Sequence, residues 1–388
     1  MLALAFLKCP MFKRYFFQLH WLIGLSAGLV LAMMGLTGAL YCFEEELIHY
    51  LDSSITTVNP DGRHSLTPAD LLAQARSKNP NVSSLSLSDN PRDAARVGFM
   101  NPVAGSDKKK FELQYLDPYT GELLGKPVSE EFFRTLLNLH RTLSLKTTGK
   151  FITGASTLGL VFLIFSGLYL RWTQIKTLSW RMWFVINTQE NGRGFLANLH
   201  AISGTWLLLV YLLFALTGLT WSYDWYRSGL TSVVGASKLP TFKAALKPDA
   251  VIEKASHIFS VEASVDPDIA LVWKTFHVMV PHYQKLIMLL PSTPLHSVQI
   301  LYLDPSATHP YANNRIVIDG LSGAMEKHEI YAEKAIGEKL MVSLYAIHSG
   351  HFFGLAGRLI MALASLLLPF FVITGWLMYL KRSKVKFN

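Results

Sequence analysis

Residues 20–38 read HWLIGLSAGLVLAMMGLTG. A histidine opens it, glycines stand at 24, 28, 35 and 38, and no charged residue interrupts it. About 20 apolar residues suffice to cross a bilayer as a helix. The longer run that contains the stretch, Tyr15–Phe43, therefore predicts a membrane span. A near copy lies at residues 200–218, HAISGTWLLLVYLLFALTG. Both copies open with His-x3-Gly (His20 to Gly24, His200 to Gly204). Both close on Leu-Thr-Gly, with Gly38 and Gly218 eighteen residues after their histidines. Eighteen residues at about 100° each make five full turns, so His20 and Gly38 share one face about 27 Å apart. Glycines along such a face let a broad flat ring approach the backbone.

Three further apolar stretches are long enough to span, Lys150–Trp172, Phe195–Tyr223 and Gly354–Leu380. The composition agrees, with 51% hydrophobic and only 16% charged residues among 388. The net charge of +9 does not form a nucleic-acid stripe, because its excess flanks the apolar runs. The first 19 residues, the loop Arg171–Gly194 and the tail from Lys381 hold eleven Lys/Arg against one acid, Glu190. Positive segments stay inside. The predicted layout is a cytoplasmic N-terminus (1–14), spans at 15–43, 150–172, 195–223 and 354–380, a cytoplasmic loop (173–194) and a cytoplasmic tail (381–388). Two periplasmic modules occupy 44–149 and 224–353, the first opening with Glu44, Glu45 and Glu46. Lys8, Lys13 and Arg14 precede the first span as in a signal peptide, but the run is far longer than a signal core and reads as an uncleaved anchor. Cys9 and Cys42 sit near opposite ends of that run and cannot pair, and there is no CxxC.

Each outside region carries a strand–turn phrase, Leu113–Gly121 and Arg315–Gly323, in which alternating apolar residues run into Asp and Gly. Ser297–Leu303 is a further strand candidate. Small α+β modules are expected. The spans that follow these modules repeat a second rhythm. His140 precedes Gly149 by nine residues and Gly167 by twenty-seven, and His348 stands at the same distances from Gly357 and Gly375. A hydroxyl residue precedes the last glycine in both, Ser166 and Thr374. The fold class expected is a polytopic α-helical membrane protein, four transmembrane helices in two parallel repeats, with a pseudo-two-fold axis along the membrane normal.

That topology pairs the histidines. His20 and His200 open spans that start inside, whereas His140 and His348 precede spans that start outside. Two-fold symmetry brings each pair together, and two facing neutral imidazoles make a six-coordinate, low-spin haem site. Two b-type haems are expected, one near each leaflet, with His20, His200, His140 and His348 as iron ligands and Gly24, Gly38, Gly204 and Gly218 giving ring clearance. A single membrane histidine can instead bond a carbonyl, and membrane glycines also serve helix packing. His351, one turn from His348, is an alternative ligand without a counterpart in the first repeat. His49 reads as a surface residue, and His277, His282, His296, His309 and His328 as solvated or structural. Arg141, Lys146, Lys150 and Arg358 near the outer site, and Arg14 and Arg193 near the inner one, are candidate partners for haem propionates or plain interfacial anchors. Gly192–Ala197 matches a dinucleotide fingerprint, but a loop entering a membrane helix lacks the βαβ unit that motif requires.

The two His-to-Gly patterns, Leu139-His140-Arg141, Ile347-His348-Ser349-Gly350 and the outer phrase Tyr115–Glu122 (YLDPYTGE) together resemble the PepSY-associated transmembrane family. Within it they resemble the FoxB-type inner-membrane ferric-siderophore reductases. The resemblance covers all four spans, and the four paired histidines match the family's histidine motifs. It implies a di-haem oxidoreductase that frees iron from imported siderophores by reducing Fe(III) to Fe(II). The implied partners are a ferric siderophore, a separate electron donor (quinol or a cytoplasmic reductase) and the lipid bilayer, with no nucleic acid. A cytochrome b-like subunit serving another partner, a permease and a non-redox PepSY-type binding or sensory module are the alternatives. The spans lack the broken helices and buried charges of a transporter.

Overall fold

The computed structural model describes residues 10–103, 105, 109–172, 180–236, 266–291 and 296–381. Lys8, Cys9, residues 173–179 of the expected inside loop and the tail from 382 lie outside the described residues. The elements that matter here are α1 (Pro10–Tyr41), α2 (Pro68–Lys78), β1 (Val82–Ser88), β2 (Ala95–Pro102), β3 (Lys109–Leu116), β4 (Leu123–Gly125), α3 (Val128–Thr142), α4 (Lys146–Trp172), α5 (Gly192–Ser222), α6 (Ile269–Met279), β5 (Lys285–Leu289), β6 (Ser297–Leu303), β7 (Asn314–Asp319), β8 (Met325–Glu329), α7 (Leu344–Ser349), α8 (Gly354–Leu366) and α9 (Leu368–Leu380). The chain divides into two compact units. One is Met1–Phe43, Phe133–Leu230 and His348–Asn388, and the other is Glu44–Phe132 and Thr231–Ile347.

The first unit is helical. Among the described residues four helices are long and apolar enough to cross a membrane: Met11–Tyr41, Lys146–Trp172, Gly192–Ser222 and His351–Leu380. Large apolar side chains on these helices point away from the protein, Leu29 72% and Leu209 75% exposed. A bilayer is the solvent that accommodates such a surface, and helices satisfy their own backbone groups there. α1 packs against α4 and against α8–α9, and α5 packs against the same two. The fourth span, expected as one helix, is two pieces meeting at Leu367. Pro369 explains the break, because it lacks an N–H and its ring obstructs the preceding turn. α1 crosses there closely, the Ser365 hydroxyl donating to the Gly35 carbonyl at 3.0 Å. A Cβ at Gly35 would collide with the Ser365 carbonyl.

The chain doubles back sharply before α4 and before α8. At the first place Leu143, Ser144 and Lys146 adopt left-handed backbone (φ 49°, 57° and 52°), and at the second Gly350 and Gly354 do (φ 84° and 66°). Gly149 then packs on the Thr142 carbonyl and Gly357 on the Gly350 carbonyl, so closely that neither site has room for a Cβ.

The second unit is an antiparallel sheet with helices. Its eight strands run β4-β3-β2-β1-β5-β6-β7-β8. Residues 68–125 and 269–329 each supply one helix followed by four strands. The expected strand phrases are β3–β4 and β7–β8, and Ser297–Leu303 is β6. Both turns are built alike. Asp117 Oδ1 accepts from the Tyr119 and Thr120 amides (2.7 and 3.3 Å), and Asp319 Oδ1 from Leu321 and Ser322 (3.2 and 2.7 Å). Each turn closes on a left-handed glycine, Gly121 (φ 74°) or Gly323 (φ 69°), the backbone only glycine adopts freely. The helices start alike too, Thr67 capping the Asp70 amide and Asp268 the Leu271 amide. Where two modules were expected, β1 and β5 pair from Ser84↔Leu289 to Ser88↔Lys285, so the two segments share one sheet. Leu72, Leu85, Phe276, Met288, Ile300 and Ile316 form its core. Fully burying one such side chain contributes about 1.5–3 kcal/mol.

Candidate functional site

The four histidines form two facing pairs. The His20 ring, on α1, lies 6.5 Å from that of His200 on α5, centroid to centroid, with planes at 71°. His140, in the last turn of α3, and His348, on α7, have centroids 6.4 Å apart at 72°. The first pair sits where α1 and α5 begin. The second sits where they end, because His140 meets Met34 and Thr37 of α1 and His348 meets Thr217 of α5. Seventeen residues of helix separate His20 from Thr37, so the two levels are about 25 Å apart.

Each Nδ1 is held by a partner from another helix. His20 Nδ1 is 2.8 Å from Ser166 Oγ, and His200 Nδ1 is 2.7 Å from Thr374 Oγ1. His348 Nδ1 is 2.7 Å from Thr217 Oγ1. His140 Nδ1 lies 2.9 Å from the Met34 carbonyl and 3.3 Å from Thr37 Oγ1. All four hydroxyl residues are buried.

A metal bound by one imidazole nitrogen sits about 2.0 Å from it, and two rings on opposite sides of one metal have centroids about 6.3 Å apart. Both pairs match that separation, so each can flank a metal carried in a flat ring. The His20–His200 pair also lines a cavity of about 990 Å³ with Gly24, Gly28, Gly204 and Gly375 on its walls. Lys13, Arg14, Arg171 and Arg193 line the same cavity, which suits a large ring bearing acidic groups. Arg171 is engaged, donating to the carbonyls of Met182 and Trp183 and lying 5.4 Å from the Trp183 ring centre. Around the second pair, Phe214 and Trp221 stand edge-on to His348 at 5.4 and 5.3 Å.

The expected glycines divide into two groups. Gly24 and Gly204 line the cavity, and a Cβ on either would only touch Leu163 (3.8 Å) or Phe371 (3.6 Å). Gly38 and Gly218 instead seat the other pair. A Cβ there would lie 3.0 Å from His140 Cε1 or 3.7 Å from His348 Cε1, and Gly167 faces His20 Cε1 at 3.3 Å in the same way. The roles of Ser166, Thr374, Thr37 and Thr217 escaped sequence reasoning. Their signal was present, since each immediately precedes one of the repeated glycines.

His351 bonds Ser349 through Nδ1 at 2.7 Å, and it is His348 whose ring faces His140. Arg358 donates to the Cys42 carbonyl at 2.7 Å and lies 4.7 Å from the Phe43 ring centre, and Arg141 is exposed. His49 is exposed, as expected. His328 Nε2 is 2.7 Å from Tyr302 Oη. His309 is buried 3.1 Å from both Tyr331 Oη and Ser343 Oγ, and burial pushes its pKa below the ordinary histidine value. These are structural placements. Among the described residues there is no cluster of three or more His, Cys, Asp or Glu that could hold a metal ion.

Four helices long and apolar enough to span a membrane, with one histidine pair between the first and third and another beside their last turns, define a polytopic membrane protein. The family model for the PepSY-associated TM region matches residues 17–382, and the chain belongs to that family. No curated protein matches it.

Proposed function

We propose that the chain binds two b-type haems, His20 with His200 holding one and His140 with His348 the other, and reduces ferric siderophores at the inner membrane. The observation that carries this reading is the pair of ring separations, 6.5 and 6.4 Å, at opposite ends of one four-span bundle. When bound, the haems supply one-electron chemistry. The protein's part is to present two imidazoles at each level, exclude water with the apolar spans and leave glycine-walled room for the rings. Both ends of the chain and the basic loop lie in the cytoplasm by charge, and the sheet unit stands in the periplasm. The chain is two like-oriented repeats about an axis along the membrane normal, so each histidine pair joins one residue from each repeat.

The substrate class rests on the family resemblance and on coordination chemistry. Hard-oxygen chelators hold Fe(III) far more tightly than Fe(II), so one added electron loosens the complex. A quinol or a cytoplasmic reductase supplies that electron, and Fe(III) becomes Fe(II). The test is an absorption spectrum of the purified protein, as isolated and after dithionite, followed by a ferric siderophore with a ferrous chelator. Two low-spin haems per chain, reoxidised as Fe(II) is captured, are expected. A spectrum without a Soret band overturns the haem assignment. A Soret band with no reoxidation by the ferric complex overturns the reductase assignment alone.

A further inference from the structure

On each span one hydroxyl–glycine pair meets a histidine through its hydroxyl: Thr37-Gly38, Ser166-Gly167, Thr217-Gly218 and Thr374-Gly375. The contacts are reciprocal within each half of the chain. The hydroxyl on α1 meets His140 and the hydroxyl on α4 meets His20. The hydroxyl on α5 meets His348 and the hydroxyl on α9 meets His200.

The direction of these bonds follows from proton supply. A hydroxyl has a single proton to donate. Thr374 Oγ1 is 2.8 Å from the Phe370 carbonyl, Thr217 Oγ1 is 2.6 Å from that of Leu213, and Thr37 Oγ1 is 2.7 Å from that of Met33. Ser166 Oγ reaches the Leu163 carbonyl at 3.3 Å. Carbonyls only accept, so a hydroxyl that donates into its own helix leaves its oxygen to accept from histidine. His140 gives an independent check, because its Nδ1 also faces the Met34 carbonyl at 2.9 Å. That nitrogen must carry the proton. The following glycine lets the ring lie against the helix, which a Cβ at 38 or 167 would crowd at 3.0 or 3.3 Å.

We infer that Thr37, Ser166, Thr217 and Thr374 are positioning residues that hold all four histidines as Nδ1–H tautomers, reserving every Nε2 lone pair for a metal in the gap between the rings. The inference rests on the haem reading for the identity of that metal. A hydrogen bond from the far nitrogen makes an imidazole a more basic ligand, which favours the oxidised metal. Removing the acceptor therefore raises the reduction potential of the haem at that level.

The experiment compares Thr374→Val, Thr374→Ser and the unaltered full-length holoprotein by redox titration, haem spectra and histidine carbon and nitrogen NMR. In Thr374→Val the His20–His200 haem is expected to rise in potential by up to about 59 mV, equivalent to a tenfold change in relative affinity for the two oxidation states. The His140–His348 haem stays unchanged, and Thr374→Ser restores the original value. Unchanged potential and spin state in Thr374→Val overturn the inference, leaving the hydroxyl as a helix-packing group. A Thr374→Ser protein as altered as Thr374→Val does the same, because Ser keeps the hydroxyl and the effect then follows changed packing at residue 374. Nδ1–H resonances for the four histidines support the inference, and Nε2–H resonances overturn it. The NMR arm reads the tautomer with or without haem, so its failure is distinguishable from failure of the haem assignment.

Discussion

The two halves of the helical unit hold the same polar groups at the same spacing and differ in what lies between them. Leu31 stands eleven residues after His20, and Tyr211 eleven after His200. Met34 and Phe214 are likewise matched, as are Leu163 and Phe371, each twenty-three residues after His140 or His348. The first half is therefore aliphatic where the second is aromatic. In the second half the rings form a continuous series. His200 meets Phe371 at 5.1 Å, Phe371 meets Tyr211 at 5.6 Å, Tyr211 meets Phe214 at 6.4 Å and Phe214 meets His348 at 5.4 Å. Tyr211 is buried, and its hydroxyl donates to the Ala364 carbonyl at 2.9 Å. Positions that hold histidines carry a hydroxyl in both halves (Ser166 and Thr374, Thr37 and Thr217), whereas the space-filling positions between them differ in kind.

The largest expected effects fall where the halves agree. Gly149→Ala and Gly357→Ala each force a Cβ onto a backbone carbonyl that cannot turn aside. Each is expected to cost about 3 kcal/mol, near the upper end for overpacking. Thermal unfolding in detergent measures it, and a cost at only one of the two glycines would break the correspondence of the two turns.

Smaller effects are expected where the halves differ. Tyr211→Leu gives the second half the residue of the first, removing a ring and one hydrogen bond from the cluster of Leu31, Leu160, Ala215 and Ala364. The expected loss is roughly 2–3 kcal/mol from the cavity and the lost hydrogen bond. Tyr211→Phe isolates the hydrogen bond at about 1 kcal/mol. Equal losses in the two variants would mean that the ring itself contributes nothing.

The smallest effect runs the other way. Lys146 adopts left-handed backbone at the position matched by Gly354. Such backbone costs a non-glycine residue roughly 1–2 kcal/mol, so Lys146→Gly is expected to raise stability by about 1 kcal/mol in the same unfolding assay, net of glycine's greater chain entropy. A drop in stability would show that the lysine makes a contact worth more than the strain.

Much of this was legible in the sequence, and the omissions have physical causes. The spans were legible because a bilayer imposes a length of apolar helix that few other environments reward. The break at Leu367 was not, since Pro369 sits in an apolar run that a length criterion reads as one helix. The strand–turn phrases declared themselves through Asp117, Gly121, Asp319 and Gly323. The union of both segments in one sheet did not, because Val82–Ser88 is a serine-rich strand carrying no mark of its partner Lys285–Leu289. The histidine pairs were legible from topology alone. Their hydroxyl partners were not, because Ser166 and Thr374 reach histidines 146 and 174 residues away. A hydroxyl before a membrane glycine reads locally as helix packing.

The central claim is that each site is shared between the halves rather than built within one. Haem content per chain in two double variants tests it most directly. His20→Ala with His200→Ala empties one level and should leave one haem with an intact low-spin spectrum. His20→Ala with His140→Ala strips one ligand from each level and should leave no six-coordinate low-spin haem. One normal low-spin haem surviving in the second variant would contradict the account, because both ligands of that haem would then lie in the second half of the chain.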